Sequence, residues 1–77
     1  MIKAVEVTIF APGNKQKQRE RHVAPPGRCF SDKGVDILLE KVSAKIEKAW
    51  PTEDYSLVPL GAARFNFVHR GSRPLET

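Results

Sequence analysis

Seventy-seven residues with one cysteine and a net charge of +4 leave room for a single domain and exclude an internal disulfide. A chain this short buries only about 60% of its unfolded surface, so its core has little margin. No apolar run approaches the roughly 20 residues that span a bilayer, and residues 1–10 lack a secretory signal, so a cytoplasmic, reducing setting without membrane contact is expected.

Residues 2–10 alternate Val5, Val7 and Ile9 with Ala4, Glu6 and Thr8. This is the period-2 pattern of a half-buried strand, rich in β-branched side chains. Ala11-Pro12-Gly13-Asn14 ends it with turn chemistry.

Residues 15–22 contain no apolar side chain. Lys15, Lys17, Arg19 and Arg21 recur at every second position, so an extended backbone puts all of them on one side, with Gln16, Gln18, Glu20 and His22 on the other. Adding Arg28, residues 13–28 carry five cations against Glu20, an excess of four that equals the net charge of the whole chain. Two conformations fit this segment. It can pair with the first strand as a hairpin ending near Val23, or form a flexible, poorly ordered or partly paired arm. The arm is favoured because nothing in the segment buries. Ala24-Pro25-Pro26-Gly27 then breaks the chain. Residues 11–29 make a long connection for a compact domain, and such connections are either functional or disordered.

Residues 31–50 predict one amphipathic helix. Val35, Leu38, Leu39, Val42, Ile46, Ala49 and Trp50 fall on one side of a 3.6-residue wheel. Ser31 is a favoured N-cap, and Phe30 and Val35 have the spacing of a hydrophobic staple. Gly34 leaves the capping box incomplete and predicts a loose first turn. Pro51 stops the helix, because it lacks an N–H and disfavours helical geometry at Trp50.

Residues 55–60 predict a strand, which Pro59 assigns to an edge or a strand end. Gly61-Ala62-Ala63 is short enough for a hairpin loop. Residues 64–70 predict the clearest second strand, with Phe65, Phe67 and His69 on one side and Arg64, Asn66, Val68 and Arg70 on the other. Residues 71–77 have little to bury and predict a frayed tail. The expected fold is therefore α+β, a single domain with one helix on a three- or four-stranded, largely antiparallel sheet, in the order β-(β)-α-β-β. Val5, Val7, Ile9, Tyr55, Leu57, Phe65 and Phe67 are expected to meet the helix.

The basic segment is the most function-like feature. Alternating cations match a phosphate backbone or an acidic protein surface; they also suit a solvated strand edge. Arg64-Phe65-Asn66-Phe67-Val68 resembles part of the RNA-recognition-motif signature, whose aromatics stack bases from a sheet surface. The glycine after the first basic residue is missing, Arg70 stands where a final aromatic belongs, and that fold needs two helices. Phe65 and Phe67 are accordingly assigned to the core. Cys29, with His22 or His69 as base, has no spacing that supports catalysis. One cysteine and two distant histidines give no zinc pattern, and the glycines form no phosphate-binding loop.

These residues predict a small basic, non-enzymatic interaction module without a cofactor or metal. Its partner would be an acidic protein or nucleic acid, bound through Lys15, Lys17, Arg19, Arg21 and Arg28 and extended by Arg64 and Arg70. The alternatives are a structural homodimer that pairs edge strands, and a small-molecule-binding or enzyme accessory subunit with a cleft near Cys29, Trp50 and Tyr55.

Overall fold

A computed structural model describes residues 2–14 and 17–72 of the chain. The elements are β1 (Ala4–Phe10), β2 (Lys17–Val23), α1 (Asp32–Ala49), β3 (Glu53–Gly61) and β4 (Arg64–Ser72). One mixed sheet has the order β2-β1-β4-β3, with α1 packed on one face. Both hairpins are antiparallel, and they join through a parallel pairing of β1 with β4 at the centre.

The central strands carry the core because they have neighbours on both sides and the helix above. Val5 and Val7 are fully buried, and Ile9, Phe65 and Phe67 are nearly so. From α1 they meet Val35, Leu39, Val42 and Ile46, with Leu38 and Trp50 at the margin. Each fully buried side chain of this kind contributes at most about 1.5–3 kcal/mol. Two expected members fall outside. Ala49 is exposed, because it lies on the flank of the stripe in the last turn, where a methyl is too short to be covered. Leu57 is 42% exposed, because it sits on edge strand β3 while the core lies over β1 and β4.

The helix ends follow their capping residues. The Gly34 N–H donates to Ser31 Oγ at 3.0 Å, and the Val35 N–H donates to the Ser31 carbonyl. Gly34 has a steric use as well: a Cβ there would stand 3.3 Å from that hydroxyl. The expected loose first turn is thus a capped one. At the other end the Trp50 N–H donates to the Ile46 carbonyl at 2.8 Å, and Trp50 leaves helical geometry ahead of Pro51. Phe30 is half-buried against the core, and its N–H donates to the Ile2 carbonyl at 2.7 Å, which fastens the entry to α1.

The basic segment departs from the arm favoured by its composition. Lys17–Val23 pairs residue for residue with β1, from Phe10↔Lys17 to Ala4↔Val23. Its order comes from the backbone ladder, which apolar content does not report. The turn between the strands uses Gly13 at φ 83°, a left-handed conformation strained for any residue with a Cβ. The second strand pair also runs further than expected: Gly71 and Ser72 pair with Asp54 and Glu53, so β4 includes the first two residues assigned to a frayed tail. Lys15, and residues 73–77 of that tail, lie outside the described residues.

Ile46 is 4% exposed and Ile37, on the opposite side of α1, is 44% exposed. Urea unfolding should show Ile46→Ala costing about 2–5 kcal/mol and Ile37→Ala changing stability by no more than about 0.5 kcal/mol. Equal losses would contradict the assignment of the buried stripe.

Candidate functional site

The helix covers one face of the sheet, and among the described residues no element covers the other. On β2 the two faces divide by parity. Gln18, Glu20 and His22 stand opposite Ile9, Val7 and Val5, on the helix side. Lys17, Arg19 and Arg21 stand opposite Phe10, Thr8 and Glu6, on the open side.

The helix-side row ties β2 to α1. Lys45 of α1 donates to Glu20 Oε2. His22 Nε2 lies 3.0 Å from Glu20 Oε1, so Nε2–H donates, since an ionised carboxylate only accepts. The hydrogen bond from Lys45, helped by His22, holds the Glu20 carboxyl below its ordinary value of 4.5 against the opposing effect of burial. The pair is largely exposed on the lysine side, so its contribution is about 1 kcal/mol or less.

The open-side row meets its neighbours in cross-strand ranks. Glu6 lies between Arg21 on β2 and Arg64 on β4, and Thr8 lies between Arg19 and Asn66. The Arg64 Nε–H donates to Glu6 Oε2 at 3.3 Å, an exposed pair that partly neutralises this end. Lys17 Nζ sits 5.2 Å from the centre of the Phe10 ring, a cation–π contact. Val58 lies opposite Asn66 on the far side, where Val58 and Leu60 are 39% and 59% exposed. The open face thus grades from cations on β2, through Thr8 and Asn66, to an apolar margin on β3. An open groove of about 480 Å³ runs over it, with Arg19, Arg21, Arg64, Thr8, Phe10 and Leu60 among its walls.

Not all of the predicted site comes together. Lys17, Arg19 and Arg21 share one face, and parallel pairing brings Arg64 beside them through Glu6. Arg28 lies off the sheet, in the connection to α1, where its N–H donates to the Pro25 carbonyl at 3.0 Å. Arg70 lies six residues beyond Arg64, about 20 Å along β4, next to the register shift at Asp54/Tyr55. Sequence reasoning missed Glu6, Thr8, Phe10 and Leu60 as members. The β1–β2 hairpin sets Glu6, Thr8 and Phe10 beside the cations, and the pairing of the distant strands β1 and β4 brings the β3 margin with Leu60 to the same face.

The proposed cleft residues separate. Cys29 is exposed ahead of α1, whereas Trp50 caps its far end, some 27 Å of helix away. Trp50 stacks on Tyr55 with ring centres 5.9 Å apart, and Tyr55 meets His69 edge-on at 5.3 Å. His69 Nε2 lies 3.2 Å from Glu53 Oε2, which fixes the imidazole. Burial, then the Glu53 charge, pushes the Tyr55 hydroxyl above its ordinary range. This cluster closes one end of the core. Among the described residues no three His, Cys, Asp or Glu side chains gather as a metal site, and no helix is long and apolar enough to cross a membrane.

Phe65 and Phe67 lie in the core, 9% and 5% exposed, and not on the open face where base-stacking aromatics would sit. Compared with protein-family models, curated proteins and solved structures, the chain matches none.

The Glu20 link makes a pH-dependent contribution. A carboxyl whose pKa falls on folding stabilises above its unfolded value, and that stabilisation is lost as pH drops through the folded value. The stability gap between wild type and Glu20→Gln should therefore be full only well above the ordinary carboxyl value of 4.5, and should shrink as pH falls through that value and below it. A gap independent of pH would show that the carboxylate charge is not what ties β2 to α1.

Proposed function

We propose that this chain is a small, non-enzymatic interaction module that takes an acidic protein partner on the cationic side of its open sheet face. The carrying observation is the hairpin register, which lines Lys17, Arg19 and Arg21 along one face, opposite the face that α1 covers. Cations held on a strand are already ordered, so a partner bears less of the entropy cost of fixing them.

Two features favour a protein over nucleic acid. The face carries an acidic residue, Glu6, among its cations and an apolar margin at Val58 and Leu60. Such a mixture suits a peptide better than a uniform phosphate backbone. Phe10 is the one aromatic of β1 on this face and already has Lys17 Nζ 5.2 Å from its ring centre, a sparse platform for stacking successive bases. A homodimer through this face would oppose cations with cations.

The test is binding of polyglutamate, heparin, and duplex and single-stranded oligonucleotides at low and moderate salt. The chain should retain polyglutamate at low salt and release it as salt screens the charges. Joint replacement of Lys17, Arg19 and Arg21 by Gln should weaken binding at least about tenfold, while joint replacement of Arg28 and Arg70 should leave it within about twofold. Retention of oligonucleotides with no retention of polyglutamate would reverse the choice of partner. Unchanged polyglutamate binding by the triple variant would remove this face as the site.

A further inference from the structure

The open edge of β2 is more specific than its charge. The Ala24 N–H donates to the Lys3 carbonyl at 2.8 Å, and the register pairs Ala4 with Val23. In an antiparallel ladder, opposed residues alternate between pairs that exchange hydrogen bonds and pairs that do not. Stepping by two from Lys3–Ala24, the bonded pairs are Val5–His22, Val7–Glu20 and Ile9–Gln18. Lys17, Arg19, Arg21 and Val23 therefore turn their backbone N–H and C=O groups away from β1, towards the free edge. The Glu6 N–H, which donates to the Ala63 carbonyl at 2.8 Å on the β4 side, agrees with this alternation. Among the described residues no strand pairs with these groups, and three of the four, Lys17, Arg19 and Arg21, are the ones whose cations line the open face.

The opposite edge differs. Arg64, Asn66 and Val68 turn their backbones towards β3, since the Glu6–Ala63 bond turns Ala63, Phe65 and Phe67 towards β1. Pro59 pairs with Phe65, so its backbone faces outward with no N–H to offer. Register shifts at Asp54/Tyr55 and Pro59/Gly61 interrupt that edge further. The β1–β2 register has no such break along its seven residues.

We propose that the free edge of β2 takes an extended acidic segment of a partner protein as a fifth strand, with alternate Asp or Glu side chains opposite Lys17, Arg19 and Arg21. This deepens the preceding proposal and rests on its assignment of the partner as acidic. Backbone bonds would supply register-independent affinity, and the alternating charges would select the occupant. Charge also excludes a second copy from this edge. Antiparallel β2–β2 pairing puts outward residues opposite outward residues, and Lys or Arg would then face Lys or Arg.

The experiment compares three peptides as long as β2, alternating Glu with Thr and Val: one plain, and two that each carry N-methyl groups on the amides along one edge. Placing the groups on each edge in turn covers both orientations. Binding is followed by backbone amide shifts of the full chain, with Arg19→Pro and Arg19→Gln as paired variants. Both variants lose the same cation, but only the proline loses the outward N–H. The expected result is binding of the plain peptide, with the largest shifts at residues 17, 19, 21 and 23, at least about tenfold weaker binding of one methylated form, and weaker binding by Arg19→Pro than by Arg19→Gln. If all methylated peptides bind as well as the plain one, strand addition is overturned while the acidic-partner reading stands. If no peptide binds, or only an oligonucleotide does, both fail. Thermal unfolding of the variants reports their folding, and the methylated peptides decide the question on the wild-type chain whether or not the proline variant folds.

Discussion

The structure depends on the parallel pairing of β1 with β4. These strands come from opposite ends of the chain, and only their contact makes one sheet out of two hairpins. It also makes a surface wide enough to receive α1. Val5, Val7 and Ile9 from one strand and Phe65 and Phe67 from the other form a continuous apolar floor, and the stripe from Val35 to Ile46 closes it from above. An isolated helix of this length would be marginal in water, and an isolated hairpin equally so. Each half is stable because the other half is present.

This arrangement also determines which surfaces remain for partners. A helix on one face of four strands leaves the opposite face uncovered, and the order β2-β1-β4-β3 leaves the backbones of β2 and β3 at the rims. The two rims are unlike. One is regular and cationic; the other is bulged and interrupted by proline. Natural sheets use charge, proline and bulges to keep edges from unwanted pairing. Here proline and bulges lie on one edge and charge on the other. Of these devices, charge alone deters one set of partners while attracting another.

Much of the fold was legible in the sequence, because its signals are local. The apolar stripe of α1, the Ser31 cap, the stop at Pro51, the alternation in β1 and the edge position of β3 are each written within a few residues. The basic segment was harder. It has no buried apolar side chain, and its place in the sheet comes from backbone pairing with β1 together with the Glu20–Lys45 link to a helix 25 residues away. The candidate site was legible only in part. The alternation of Lys17, Arg19 and Arg21 is visible in the sequence. The places of Glu6 and Thr8 follow once β2 is paired with β1, whereas the nearness of Arg64 and Leu60 depends on a pairing between distant segments that no local pattern encodes. The cleft joining Cys29 to Trp50 and Tyr55 disregarded the length of the helix between them.

The union of the first strand with the last has a consequence for how the molecule comes into being. Contacts between residues nearly sixty positions apart close a long loop, and non-local contacts of that kind make folding slow. During synthesis the first hairpin and the helix emerge while Phe65 and Phe67 have yet to be added. The greasy underside of the helix then has half a bed to lie on. Until β4 is added, the growing polypeptide has only part of its apolar floor.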